Sequence, residues 1–317
     1  MQAIIPSVDK ELLMKELNPD RFLRYANNGD NHIYLVDYHN APNTIKEIGR
    51  LRELTFRAAG GGTGLPLDID DNDTSDNCYK QLITWNPEEE EIVAGYRLIH
   101  CNEAGLDSQG NINLSTAHLF DFSKKFIDNY IPYTIELGRS FVQPKYQPSI
   151  NNRKGLFSLD NLWDGLGAIV MLNPDVKYLF GKVTMYPHYN REARDLLLFF
   201  MNYYFPDEDV LVKPMEHLTL TYETDVSSLD KIFDGLDYKE GYKVLNSRIR
   251  SCGENIPPLI NTYMNLSPTM KTFGTALNDE FGAVEETGIM ITIKDIYDSK
   301  KHRHMETFER DRMFGSR

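Results

Sequence analysis

The sequence predicts an α/β protein of the α+β type, with a mixed sheet flanked by helices. Three observations carry this. Segments rich in β-branched and aromatic residues come early and in neighbouring pairs, at 79–86 and 91–100, as in a hairpin. Later segments alternate between strand and helix periods, at 133–142, 158–170, 177–186 and 191–205. The resulting order, β–α–loop–β–β–(α)–β–α–β–α–insert–β, fits neither a Rossmann nor a TIM arrangement.

Each element has a local reason. Residues 7–27 read as a helical lead-in (Leu12, Leu13, Leu17, Phe22, Leu23), which makes 1–31 an N-terminal helical extension. His32–Asp37 is the first strand. A helix opens at Ala41-Pro42-Asn43-Thr44, and Ile45, Ile48, Leu51 and Leu54 recur at helical spacing. It ends at Gly60–Gly64, a loop or lid, and an acidic loop from Asp68 to Asp76 follows. A short helix is expected over 117–128. Ser158 starts another, with Leu162, Leu166, Ile169 and Val170 inward. Asn190 can cap the helix 191–205. Residues 206–255 are polar and mixed and read as an insertion holding two short helices. Thr287–Lys294 is the final buried strand. Residues 32–295 form a single domain on this reading, and 296–317 are a charged, mobile tail.

Composition excludes several classes. The chain has 317 residues, 41% of them hydrophobic, with 16 Phe and 18 Tyr to fill a core. A net charge of −13 argues against a general nucleic-acid binder, which needs Lys and Arg to neutralise phosphates. No apolar run approaches the roughly 18 residues of a membrane span. Asp9, Lys10 and Glu11 follow the first residues at once, unlike a signal peptide. Cys78, Cys101 and Cys252 form neither a disulfide framework nor a zinc pattern. The expectation is a cytoplasmic protein without a metal.

The stretch Tyr133–Val142 is the most informative. It reads as a strand that carries Glu136 and Arg139. Regular alternation sends residues three apart to opposite faces. A bulge at Gly138 would re-aim the side chains after it. Charge in an apolar strand costs burial energy, so either a structural ion pair or a catalytic site must offset it.

Several segments together resemble one family. Arg50-Leu-Arg52 followed by Phe56-Arg57 looks like its first-helix pattern. Gly95-Tyr-Arg97-Leu98 looks like its G-T-x-R-L strand, and Glu136-Leu-Gly-Arg139-Ser140-Phe-Val142 like its E-L-G-R-S-x-V strand. Lys145-Tyr146 stands where a Tyr-Arg-like pair occurs. Leu162-Trp163-Asp-Gly165, Tyr178-Leu-Phe180-Gly181 and Pro258–Tyr263 match three later elements. The chain thus resembles the GNAT acyltransferases, in the branch of N-acyl amino acid synthases (ornithine- and glycine-lipid N-acyltransferases) and acyl-homoserine-lactone synthases.

The resemblance implies a GNAT-like, mostly antiparallel central sheet. It implies an N-acyltransferase that moves a long-chain fatty acyl group, with or without a 3-hydroxyl, from acyl carrier protein to the amine of an amino acid such as glycine or ornithine. That is a step of amino-acid lipid biosynthesis. Asn152-Arg153-Lys154-Gly155-Leu-Phe157 keeps one glycine of the family's Q/R-x-x-G-x-G/A, which favours a carrier thioester over acyl-coenzyme A. The rivals are an acetyl-coenzyme A-dependent acetyltransferase on a small amine, an autoinducer synthase and a non-catalytic binding domain. The donor is a substrate, so no cofactor is expected.

The site residues follow. Glu136 is the candidate general base, with Arg139 beside it. Arg97 and Arg139 suit an acceptor carboxylate, or else brace the strands. Arg52 completes that set, chiefly as a brace. Phe141, Val142 and Trp163 are candidates for the acyl chain, with plain core packing as the alternative. Lys145, Arg153, Lys154 and Gly155 are the candidates for the carrier protein and its pantetheine arm. The Lys/Arg content of the tail allows peripheral contact with anionic lipid. The run Asp68–Asp73 resembles a calcium-loop start but lacks the glycine and distal Glu. Gly60–Gly64 has no Gly-Lys-Ser/Thr ending and is no P-loop.

Overall fold

The computed structural model describes residues 1–107, 110–147 and 157–314. The chain divides into two compact units: Met1–Ser115 with Tyr133–Lys177 and Tyr297–Arg317, and Thr116–Pro132 with Tyr178–Ile296. In chain order the strands are β1 (Phe22–Tyr25), β2 (His32–Val36), β3 (Lys80–Asn86), β4 (Glu91–His100) and β5 (Phe120–Phe122). They continue as β6 (Thr134–Val142), β7 (Tyr178–Met185), β8 (Val212–Pro214), β9 (Lys271–Asn278) and β10 (Val284–Thr292).

The first unit orders its strands β1-β2-β3-β4-β6, each pair antiparallel. Helix Ser158–Leu172 packs on one face, where Gly165 lies so close to Leu82 that a Cβ would stand 2.8 Å from it. Helix Pro42–Ala58 buries Ile45, Ile48 and Leu51, as the spacing predicts, and also Arg52 and Phe56, whereas Leu54, expected on the same stripe, is exposed. Its own N-cap, Ala41, has no capping side chain. Glu16 at the end of helix Lys10–Glu16 supplies the missing acceptor, taking the N–H groups of Asn43 at 3.0 Å and Thr44 at 2.7 Å. A carboxylate at a helix N-terminus also suits the dipole.

The second unit holds the antiparallel ladder β7-β10-β9 and the pair β5-β8. Helix Arg191–Tyr204 is capped by Asn190, whose side chain accepts from Glu192 and Ala193 as expected. The segment 206–255 holds the two expected helices, Val226–Phe233 and Tyr238–Ser251. Among the described residues, no helix is long and apolar enough to cross a membrane.

Three local expectations are corrected. Phe22–Tyr25 is strand, not helix: Asn18-Pro19 stops the helix, and the aromatic Phe22 and Tyr25 pair across to Tyr34 and His32. Over 117–128 a strand precedes the helix, which spans Lys124–Asn129. Strand β9 falls in a stretch to which the sequence assigned no element. The tail is not free either. It forms helical turns from Asp298 to Phe314, with His304 and Phe308 buried. His304 Nδ1 stands 2.7 Å from Asp164 Oδ1, and Arg24 donates to the His304 carbonyl at 3.2 Å.

Gly167 admits this docking, because a Cβ there would collide with the His304 carbonyl group, whose carbon would lie 2.7 Å away. Gly167→Ala should therefore destabilise the protein. Overpacking of about 1–3 kcal/mol outweighs the gain of ~1 kcal/mol in helix propensity. Limited proteolysis should release the segment after Tyr297 faster than in the wild type; unchanged cleavage would contradict the docked tail.

Candidate active site

Directly opposed residues on antiparallel strands share a face. Gln81 opposes Arg97, Arg97 opposes Gly138, and Ile99 opposes Glu136. Alternation then places Tyr79, Gln81, Arg97 and Glu136 on one face. Leu82, and with it helix Ser158–Leu172, belongs to the other. Arg52 of helix Pro42–Ala58 descends onto the first face and donates to Gln81 Oε1 at 2.5 Å.

β6 is bulged. Arg97 pairs with Gly138 but Gly95 pairs with Phe141, so Arg139 and Ser140 share one position opposite Tyr96. Arg139 takes φ +48° to make this turn, a left-handed conformation costing a side-chain-bearing residue about 1–2 kcal/mol. The bulge expected at Gly138 thus lies one residue on. It has two consequences. Phe141 lands on the same face as Glu136 and packs across Gly95, where a Cβ would stand 2.8 Å from its ring. The Arg139 guanidinium meets Asp68 at 3.1 Å and Asp70 at 3.9 Å.

Three arginines and three aspartates interlock here. Arg52 Nη1 lies 3.0 Å from both Asp73 oxygens. Arg97 Nη1 donates to Asp70 at 2.6 and 2.8 Å and to Asp73 at 3.2 Å. The Arg97 guanidinium sits 5.0 Å over the Tyr79 ring, a cation–π contact. Burial alone would push the Asp73 carboxyl up, but Arg52 and Arg97 outweigh it and hold the group well below the usual range. Burial prevails at Asp68, whose carboxyl is raised despite Arg139, Arg52 and Arg97. Burial would lower Arg97, yet Asp73 and Asp70 keep it above its ordinary value.

Glu136 is fully buried beside this cluster. The Tyr79 hydroxyl donates to its carboxylate in a short hydrogen bond, and the Ser115 N–H donates to the same oxygen at 3.1 Å. The Ser115 N–H also lies 2.9 Å from Tyr79 Oη. Burial and then the Glu136 charge hold the Tyr79 phenol well above its usual value, so it stays a proton donor. Glu53, one residue from Arg52, accepts from Thr63 at 3.0 Å and Gly64 at 2.8 Å. The glycine loop is thereby pinned to the helix.

The structure brings together Glu136, Arg139, Arg97, Arg52 and Phe141. Val142 stands at the end of β6, half-buried opposite Ala94. Trp163 is buried in helix Ser158–Leu172, against the opposite face. Lys145 is bound by Glu89 at 3.2 Å and Glu91 at 2.8 Å at the β3–β4 turn. Arg153, Lys154 and Gly155 lie outside the described residues. Sequence reasoning missed Tyr79, Asp68, Asp70 and Asp73. The aspartates had a signal: Arg52 falls on the apolar stripe of its helix, and a buried guanidinium requires a carboxylate. Among the described residues, no group of three or more His, Cys, Asp or Glu could hold a metal ion.

Residues 51–152 match the family model described as an acetyltransferase (GNAT) domain. Two curated relatives bear the name glycine N(alpha)-acyltransferase. The one from Phocaeicola vulgatus is 53% identical over 97% of this chain and 94% of its own length. The one from Bacteroides thetaiotaomicron is 55% identical over 97% and 91%. The chain belongs to this family and is an N-acyltransferase. It is also similar to a solved CoA-dependent acyl-homoserine lactone synthase, at 11% identity with 87% and 89% coverage, but the TM-score of 0.36 is too low to carry mechanism.

The ion cluster makes a stability prediction. The Asp73 and Glu53 carboxyls are depressed in the folded state. For Glu53 too burial raises the group, and hydrogen bonds from Arg57, Thr63 and Gly64 outweigh it. Depressed carboxyls stabilise above their unfolded pKa of about 4 and lose that contribution as pH falls below it. Urea midpoints should hold from pH 7 to about pH 4.5 and drop steeply towards pH 3. Asp73→Ala should cost about 3–5 kcal/mol at pH 7, since it takes the carboxylate from the buried Arg52 and one of two from the buried Arg97. A loss below about 1 kcal/mol, within the range of an exposed pair, would refute the cluster's role.

Proposed function

We propose that this enzyme acylates the α-amine of glycine with a long-chain fatty acyl group taken from an acyl carrier protein, as a step towards amino-acid lipids. The observation that carries this is the meeting of Glu136, Tyr79 and Arg139 at the bulge of β6. The glycine acceptor is supported by the name of the two relatives. The acyltransferase domain is assigned to residues 32–295, and the donor is a substrate rather than a cofactor.

The chemistry follows from the groups present. Glycine arrives as a zwitterion, its amine largely protonated near neutral pH. Arg52 and Arg97 spend donors on carboxylates of this chain and act as braces. Arg139 is the least buried of the three, with 16% of its side chain exposed, and is assigned the acceptor carboxylate. Asp70, one-third exposed, is assigned the ammonium. Glu136 accepts the amine proton through the Tyr79 hydroxyl, which donates to it and hands on its own proton as it takes another.

The freed amine then attacks the thioester carbonyl. The N–C bond forms and the C–S bond breaks. One of the two remaining amine protons leaves with the carrier thiol, and the other stays on the amide nitrogen. The developing oxyanion is assigned to backbone amides of the bulged segment, where preorganised donors act most strongly. No protein nucleophile is required. Phe141 is assigned to the wall of the acyl site.

Glu136→Gln should lower kcat by about 10²–10⁴ while the urea midpoint stays close to that of the wild type. Wild-type enzyme, offered palmitoyl carrier protein and an equimolar mixture of the twenty amino acids and ornithine, should yield N-palmitoylglycine as the dominant product by mass spectrometry. Near-normal turnover of Glu136→Gln would remove it from catalysis. A dominant product other than N-palmitoylglycine would overturn the acceptor.

A further inference from the structure

Helix Tyr238–Ser251 belongs to the second unit and is anchored there by Gly241, Leu245 and Ile249. The Tyr204 hydroxyl seats its first turn, donating to the carbonyls of Leu236 at 3.1 Å and Asp237 at 3.2 Å. The outward side is cationic. At 3.6 residues per turn, Lys239, Lys243, Asn246 and Arg250 fall within an arc of about 60° and along ~16 Å of axis. Lys239, Lys243 and Arg250 are exposed, and among the described residues none of them is in an ion pair. Arg248 adds a fourth exposed cation on the flank. The helix's one carboxylate, Glu240, is engaged in a capping box with Asp237. Lys243, Asn246, Ser247, Arg250 and Ser251 line a surface along the row that is open to solvent.

Such a row does little for the stability of the protein that carries it, because exposed charges without partners gain nothing from folding. In a chain of net charge −13 it is also a concentrated exception. Its chemistry suits a negatively charged partner, which complementary charge would steer and orient. A membrane surface is the less fitting occupant. No large apolar side chain on this helix is exposed, and interfacial helices need one to insert.

We infer that the outer face of helix Tyr238–Ser251 docks an acidic protein, namely the carrier that delivers the acyl thioester. This rests on the carrier-thioester reading above. It moves the docking surface away from Lys145, whose charge is already met by Glu89 and Glu91.

The test uses the double charge reversal K243E/R250E in the full-length enzyme. Both positions are exposed, and neither belongs to the assigned catalytic machinery. The KM for palmitoyl carrier protein should rise at least tenfold. Turnover with palmitoyl-pantetheine, which lacks the protein, should be unchanged. Raising the salt concentration should weaken carrier use by the wild type and much less so by the variant. An unchanged KM for the carrier would overturn the dock while leaving the functional reading intact. Wild-type enzyme that uses only the coenzyme A thioester would overturn both the donor assignment and the dock. Binding to phosphatidylglycerol vesicles that the reversal abolishes, with carrier use unaltered, would replace the carrier by a lipid surface.

Discussion

The structure of the first unit depends on one constraint: three guanidinium groups lie between helix Pro42–Ala58 and the sheet, and each must find a carboxylate. Asp68, Asp70 and Asp73 meet that need from a single short segment. Taking an unpaired charge out of water costs several kcal/mol, so the segment cannot drift without exposing that cost. Gln81 closes the set by accepting from Arg52 and donating to Asp73 at 2.9 Å. The same ions tie the helix to β3 and β4. They also place the Tyr79 ring under Arg97, so its hydroxyl meets Glu136.

The bulge in β6 converts this scaffold into a site. A regular strand would send Phe141 and Arg139 away from Glu136. One extra residue instead gathers both onto its face. The strain of a left-handed arginine is held by its bond to Asp68 and by the ladder on either side. Gly95 leaves the room that the Phe141 ring fills. Strain, ion pairing and small-residue packing thus concentrate at one point of β4 and β6, where the residues of the proposed site meet.

Much of this was legible in the chain. The hairpin β3–β4, the strand with Glu136 and Arg139, and the helices at 42, 158 and 191 follow from periodicity and capping residues. The bulge followed from the conflict between alternation and two charges three residues apart. What stayed hidden has physical reasons. The acidic run Asp68–Asp73 has no period of its own, and its meaning lies in arginines distant in sequence. Tyr79 reads as the first residue of an ordinary strand and gains its role only through tertiary contact. β1 is four residues long, too short to outweigh the helical pattern before it. The tail is charged, yet it docks through Gly167, His304 and Phe308, which no local pattern announces.

The assignment of the acceptor is tested most directly by removing its carboxylate. Glycine and glycinamide share an amine and differ only in the group assigned to Arg139. Measuring kcat/KM for both, in wild type and in Arg139→Lys, isolates that contact. A bidentate charge-assisted contact should make the wild type prefer glycine by about a hundredfold, and Arg139→Lys should lose most of that preference. Equal preference in the two enzymes would contradict the assignment and leave Arg139 a brace like Arg52 and Arg97.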